Sequence, residues 1–204
     1  MLDEAHCLGV LGETGRGLPE HAGVDPARID LLVGTMSKTL ASCGGYVCGR
    51  KKVIDWFRYT LPGFVYSVGV SPVILASART ALRLMQEESW RIGRLAENAT
   101  FFRDYANEAG LSTGHAIGRG VVPILFKDDV DTMWASQRLL EKGYYVPPIV
   151  QIGVPKDQPR LRFFLSASHT QDEIKGVIDC LRDMPPASLE ARQMVADAMA
   201  GASV

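Results

Sequence analysis

The chain has 204 residues, 47% of them apolar and 22% charged, with 20 Gly and 11 Pro. That composition excludes collagenous and low-complexity chains and suits a folded α/β protein of one large or two modest domains. A net charge of −1 excludes the cationic surface by which proteins hold nucleic acid, and no apolar run approaches the ~18–20 residues that span a bilayer.

Met1-Leu2-Asp3-Glu4-Ala5-His6 reads as part of a core element that runs straight into polar, chemistry-bearing residues, with no signal peptide ahead of it. Short apolar runs bounded by Gly predict strands at Ile29–Gly34 and Gly45–Cys48. Between them lies the polar loop Thr35-Met36-Ser37-Lys38-Thr39-Leu40, placed where α/β sheets collect ligand-handling side chains. Lys38, flanked by two strands and beside Gly44-Gly45, is expected to be buried. A desolvated lysine sheds its charge more readily and becomes an amine nucleophile fit to form a Schiff base.

A helical pattern follows. Pro72 marks a start, Ile74, Ala78, Leu82 and Met85 share a face, and Ile92, Leu95, Ala99, Phe102, Ala106 and Ala109 repeat the spacing, which predicts one long or broken helix closed by Gly110. The remainder reads as a smaller α+β unit with strands at Val121–Phe126, Tyr145–Ile152 and Leu161–Ser166. Pro147-Pro148 makes the middle one an edge or bulged strand. Gly143 reads as a helix stop, and Thr170-Gln171-Asp172-Glu173 as a capping box ahead of the helix face Ile174, Val177, Ile178 and Leu181. The Ala-rich tail after Pro185-Pro186 is expected to be peripheral.

Two features need weighing before any function is read. Asp3-Glu4-Ala5-His6 spells the magnesium-binding box of a helicase family, but no GxxxxGK[ST] phosphate loop accompanies it, which excludes that chemistry. The cysteines Cys7, Cys43, Cys48 and Cys180 lack CxxC spacing and are expected to be buried, reduced thiols, as in a cytoplasmic protein.

Taken together, four blocks point further: DEAHCLGVLGETGRGLPEH (Asp3–His21), GTMSKTLASCGGYV (Gly34–Val47), PGFVYSVGVSP (Pro62–Pro72) and RLRFFLSASHT (Arg160–Thr170). In this order they resemble the α-oxoamine synthase family of fold-type-I, pyridoxal-phosphate-dependent enzymes, and the resemblance runs to about Met184. It implies that Asp3 pairs with the cofactor's pyridinium nitrogen, that His6 hydrogen-bonds its phenolic oxygen, and that Lys38 is the Schiff-base lysine and proton-transfer base. It further implies that Thr35, with Ser37 as a second hydroxyl, binds the cofactor phosphate, that Ser67 reaches the phosphate of the partner subunit, and that Arg162 holds the substrate carboxylate. Val68 departs from the pattern, being apolar where the family often has Thr. Arg160 shares a strand face with Arg162, and the choice between them rests on the resemblance alone. His21 and His169 recur in the family and receive no role beyond turn and cap hydrogen bonds.

The resemblance implies an α/β fold: the C-terminal half of a fold-type-I transferase, with a partial large-domain sheet and a small α+β domain. On that reading residues 1–70 are the partial cofactor-binding domain, 71–110 a connecting helix, 111–184 the small domain and 185–204 a tail. Family enzymes are about twice this long, so a truncated chain is expected. It would lack the cofactor-stacking residue and the Gly-containing phosphate loop, and its sheet edge beside Asp3 would need a cover. The whole protein is expected to be a cytoplasmic homodimer that condenses an acyl-CoA or carrier thioester with an amino acid, with decarboxylation, to an α-amino ketone. The Gly34–Val47 block leans toward the long-chain-acyl branch. For this chain weak or no catalysis is expected, and the alternatives are a non-catalytic dimerising fragment or another fold-type-I enzyme such as an aminotransferase.

Overall fold

In a computed structural model, residues 1–150, 154–155, 158–190, 192–193 and 197 are described. The backbone divides into two units, Met1–Arg94 and the residues from Leu95 onward.

The first unit is built on a three-stranded sheet. Strand β1 (Leu2–Asp3) runs parallel to β2 (Leu31–Thr35), which runs antiparallel to β3 (Gly45–Gly49), in the order β1-β2-β3. Asp3 lies beside Val33 and Thr35 opposite Gly45, so β1 and β2 deliver the residues that follow them to the same end of the sheet. The β1–β2 connection carries α1 (Leu18–His21) and a 3-10 turn at Pro26–Arg28. After β3 come α2 (Lys51–Thr60), α3 (Pro62–Val65) and α4 (Pro72–Glu87). A small apolar cluster of Met36, Leu40 and Ala78, with Leu8, Tyr46 and Ile74 against it, packs α4 onto the loop that links β2 and β3.

Both strand predictions here hold to within a residue or two, but the thiols do not follow expectation. None of the four cysteines is fully buried: Cys43 and Cys48 are exposed, Cys7 and Cys180 half-buried, and all are free. For Cys48 the reason is topological, because β3 is an edge strand whose residues, Tyr46 apart, face solvent.

The helical pattern resolves into two helices, α4 and α5 (Trp90–Glu108), broken at Glu88–Ser89. On α5 the predicted face is real: Ile92, Ala99, Phe102 and Ala106 are buried. Gly110 follows with a φ of 80°, which an L side chain rarely adopts. On α4 Ala78 alone of the predicted face is fully buried.

The second unit is an antiparallel sheet with helices on it. Strands β4 (Val121–Leu125), β5 (Pro148–Ile149) and β6 (Arg160–Phe164) lie in the order β4-β6-β5, and α6 (Asp129–Glu141) and α7 (Gln171–Arg182) complete it. Phe102, Ile124, Leu139, Leu161 and Ile178 form its fully buried centre. Each such side chain contributes about 1.5–3 kcal/mol by leaving water. The capping box is present in full, with the Thr170 hydroxyl accepting from Glu173 N at 3.2 Å and the Glu173 carboxylate accepting from Thr170 N at 2.8 Å.

The strand expected over Tyr145–Ile152 lies at the edge of its sheet as expected, but it is shorter. Only Pro148–Ile149 pair with β6, and residues 151–152 lie outside the described residues. A proline offers no N–H to a ladder, and the pairing accordingly begins only at the second of the two, Pro148. Much of the tail is likewise outside the described residues, but two anchors are clear. Ala187 is buried, and Arg192 bridges Asp128 at 3.0 Å and Asp131 at 2.6 Å at the head of α6. Among the described residues, no helix is long and apolar enough to cross a membrane.

Candidate active site

The site begins where the two parallel strands end. Asp3 closes β1, and its Oδ1 accepts the Ala5 N–H at 2.8 Å, which turns the chain out of the sheet. Glu4 N donates to Val33 O at 2.7 Å, so the pairing with β2 extends one residue beyond the strand. The Glu4 side chain points inward, 5% exposed, and accepts the Leu18 N–H at 3.0 Å. Gly17, with a φ of 92°, leaves the Glu4 carboxylate the space a Cβ would fill. Asp3 and His6 by contrast face solvent.

The second loop is held more tightly. At the end of β2 the Thr35 and Ser37 hydroxyls lie 2.7 Å apart, Ser37 N donates to Thr35 Oγ1 at 3.2 Å, and Thr35 Oγ1 donates to Gly44 O at 3.2 Å. Lys38 follows and is exposed, not buried as expected. Met36 and Leu40 on either side take the buried positions and turn Lys38 outward. The loop is fastened at three further points. Thr39 Oγ1 donates to Leu8 O at 2.7 Å, Ser42 Oγ to Ile74 O at 2.7 Å, and Ser77 Oγ to Ala41 O at 3.0 Å. Ala41 has a φ of 46°, a left-handed conformation unusual for alanine.

These placements bring Asp3, His6, Thr35, Ser37 and Lys38 to one end of the first sheet. Ser67 does not share their hydrogen bonds: it lies in the exposed segment after α3, donating to Phe64 O at 3.0 Å and accepting from Gly69 N at 3.3 Å. Arg162 belongs to the second unit. There it stands half-buried on β6 with Arg160 on the same face, while Leu161 and Phe163 point into the core. Arg160 is occupied by Gln158, through its backbone O at 2.9 Å and its Oε1 at 3.0 Å. Arg162 instead lines a cavity of about 360 Å³ with Tyr145, Pro147, Phe164, His169 and Glu173, opened where the β5 pairing stops.

The carboxylates of Asp3 and Glu4, at and just beyond the end of β1, act on their neighbours. Burial pushes the Cys7 thiol up, and Glu4 and Asp3 push it further, which keeps it protonated and a poor nucleophile. Burial raises the Tyr46 phenol too, with Cys48, Glu4 and Asp3 adding to it. Among the described residues, no group of His, Cys, Asp and Glu could hold a metal ion. Sequence reasoning missed Glu4, Thr39, Ser42 and Ser77. The first was in view beside Asp3, whereas the hydroxyls carry no signal until the loops are folded against one another.

Residues 1–181 match the aminotransferase class I and II family. Serine palmitoyltransferase of Sphingobacterium spiritivorum is 35% identical over 179 residues, covering 88% of this chain and 44% of the relative. The 8-amino-7-oxononanoate synthase of Methylococcus capsulatus is 37% identical over 190 residues, covering 91% and 48%. In structure, the serine palmitoyltransferase of Sphingomonas wittichii superposes with a TM-score of 0.82 at 26% identity, over 88% of this chain and 45% of that one. The same figures hold for a serine palmitoyltransferase solved with pyridoxal phosphate. The chain thus spans less than half the length of the relatives it matches.

Proposed function

Because the chain belongs to the aminotransferase class I and II family, we propose that it carries the lysine-bearing part of a pyridoxal-phosphate-dependent acyltransferase. The whole protein would join an acyl-CoA or acyl-carrier thioester to an amino acid and release CO₂, giving an α-amino ketone. The observation that carries this reading is the Thr35–Ser37 hydroxyl pair directly ahead of Lys38, at the same sheet end as Asp3. A carboxylate, an imidazole, two hydroxyls and a primary amine on adjoining loops are a donor set that fits an anionic, aldehyde-bearing pyridine. Relatives named as serine palmitoyltransferase and 8-amino-7-oxononanoate synthase support the reaction class.

When bound, pyridoxal phosphate supplies an electron-withdrawing ring that stabilises negative charge at a substrate α-carbon. The chain's own residues do the rest. Asp3 keeps a proton on the ring nitrogen, since a carboxylate nearby favours the charged form. His6 holds the phenolic oxygen, and Thr35 and Ser37 donate to phosphate oxygens once their hydroxyl protons turn from Gly44 O and from each other. Lys38 Nζ anchors the cofactor and moves the proton at the α-carbon. Arg162 pairs with the amino-acid carboxylate, a task suited to a planar two-point donor.

A homodimer fits this reading, with Ser67 presented toward the partner's phosphate from a segment rich in exposed apolar side chains such as Phe64 and Tyr66. The free thiols suit the reducing cytoplasm. A second reading, a non-catalytic dimerising chain, is favoured by the outward-facing Lys38.

The test is to add pyridoxal phosphate to the purified chain, record the visible absorbance, reduce with borohydride and map the retained mass. We expect a band that reduction fixes on the Lys38 peptide and that Lys38→Ala abolishes. Absence of the band in the wild type, or its persistence in Lys38→Ala, overturns the reading. With the full-length protein, release of CoA favours the synthase, whereas amino exchange dependent on a keto acid favours an aminotransferase.

A further inference from the structure

We propose that Thr39 is a positioning residue that sets Lys38 against Asp3 and His6. The proposal rests on the cofactor reading above and extends it to a residue with no chemistry of its own. Thr39 follows Lys38 directly, and its hydroxyl donates to Leu8 O, two residues beyond His6, at 2.7 Å. Its methyl group lies against Gly9, in the place a Cβ would take, so both branches of the side chain are engaged with the segment that follows β1. The loop's other fastenings, Ser42 to Ile74 O and Ser77 to Ala41 O, run to α4 and its neighbourhood. Thr39 therefore ties the lysine loop to the loop that carries the acid and the imidazole.

That tie matters because the cofactor is a rigid plane. Its ring nitrogen, phenolic oxygen and aldehyde carbon stand at fixed separations, and the three side chains that address them come from two different loops. Groups misplaced by about 1 Å lose much of their effect, so the spacing between the loops has to be held by something other than the cofactor. β1 and β2 fix the roots of the loops through the sheet, and the Thr39 hydrogen bond fixes them again beyond its end. A neutral, partly buried hydrogen bond whose loss leaves Leu8 O without its donor changes an equilibrium by about tenfold.

The experiment compares the full chain with Thr39→Val, Thr39→Ser and Ser77→Ala, each shown by circular dichroism to be folded. Pyridoxal phosphate loading at Lys38 is followed by titration of the visible band, by the mass fixed with borohydride, and by the pH midpoint of the band. Thr39→Val, which keeps the shape and removes the hydroxyl, should load about tenfold more weakly and move the pH midpoint. Thr39→Ser should restore both, and Ser77→Ala should match the wild type, since it loosens the same loop without releasing it from the Asp3–His6 segment. Thr39→Val behaving as wild type, Thr39→Ser failing to rescue, or Ser77→Ala losing as much as Thr39→Val would each overturn the proposal. A wild-type chain that never loads overturns the cofactor reading instead, and this proposal with it.

Discussion

The phenol of Tyr46 lies over the α-carbon of Gly34, its partner across the β2–β3 ladder, in the space that any other residue would fill with its Cβ. Tyr46 also packs on the cluster of Met36, Leu40 and Ala78 beneath the lysine loop. Gly34→Ala must therefore displace an aromatic ring, and we expect a loss of about 2 kcal/mol in urea unfolding, within the range for overpacking. In a Tyr46→Ala background the same change should cost much less. Equal costs in both backgrounds would show that the ring is not the obstacle.

Glu4 supplies a second stability prediction. Its carboxylate is the buried acceptor for Leu18 N at the start of α1. Glu4→Ala leaves that donor unpaired and should cost about 2 kcal/mol, read as a lowered urea midpoint with an unchanged slope. A variant as stable as wild type would mean that water replaces the carboxylate without loss.

Glu20 predicts a pH dependence. The Thr14 hydroxyl at 2.7 Å, joined by the Arg16 and Thr14 N–H groups, holds its carboxyl below the ordinary 4.5 against the opposing effect of burial. A carboxylate favoured in the folded state adds stability above its unfolded value and gives it up as pH falls through the folded one. Stability should decline as pH falls below the ordinary carboxylate value of 4.5, and Thr14→Val should flatten that decline. An identical slope in the variant would exclude this hydrogen bond as the cause.

The Thr35–Ser37 pair predicts a binding effect. Thr35→Val removes one hydroxyl and the acceptor for Ser37 N. Affinity for pyridoxal phosphate should weaken about tenfold in an absorbance titration, with a loss of about 1 kcal/mol in unfolding. Equal affinity in the variant would remove Thr35 from the phosphate contacts.

In the second unit, Thr170→Ala deletes the hydroxyl that accepts Glu173 N and begins α7. We expect a loss of about 1 kcal/mol in unfolding, whereas Thr170→Ser should lose little.

What could be read from the sequence was what depends on local spacing. The capping box at Thr170, the apolar face of α5 from Ile92 to Ala106 and the strands β2, β3, β4 and β6 follow from periodicity and side-chain chemistry, and they stand close to where expected. Lys38 was placed correctly in the chain and wrongly in depth. Its neighbours Met36 and Leu40 hold the interior, and one residue's shift in a loop exchanges inside for outside. Cys48 was misjudged because edge position is a property of the sheet order, which no run of five residues encodes. Glu4 and Thr39 were invisible as partners because Leu18 and Leu8 lie 14 and 31 residues away from them.

The match to the family ends at Leu181, but the molecule's own ties do not. Arg192 holds Asp128 and Asp131 from beyond that point, and Ala187 N donates to Asp131 Oδ1 at 3.3 Å from a buried position. The family match and the folded contacts thus have different borders here. Trimming the chain at Leu181 would strip the head of α6 of its counter-charge and uncover the surface beneath Ala187. A border for handling this protein is better drawn beyond Arg192, whose grip on α6 it then keeps.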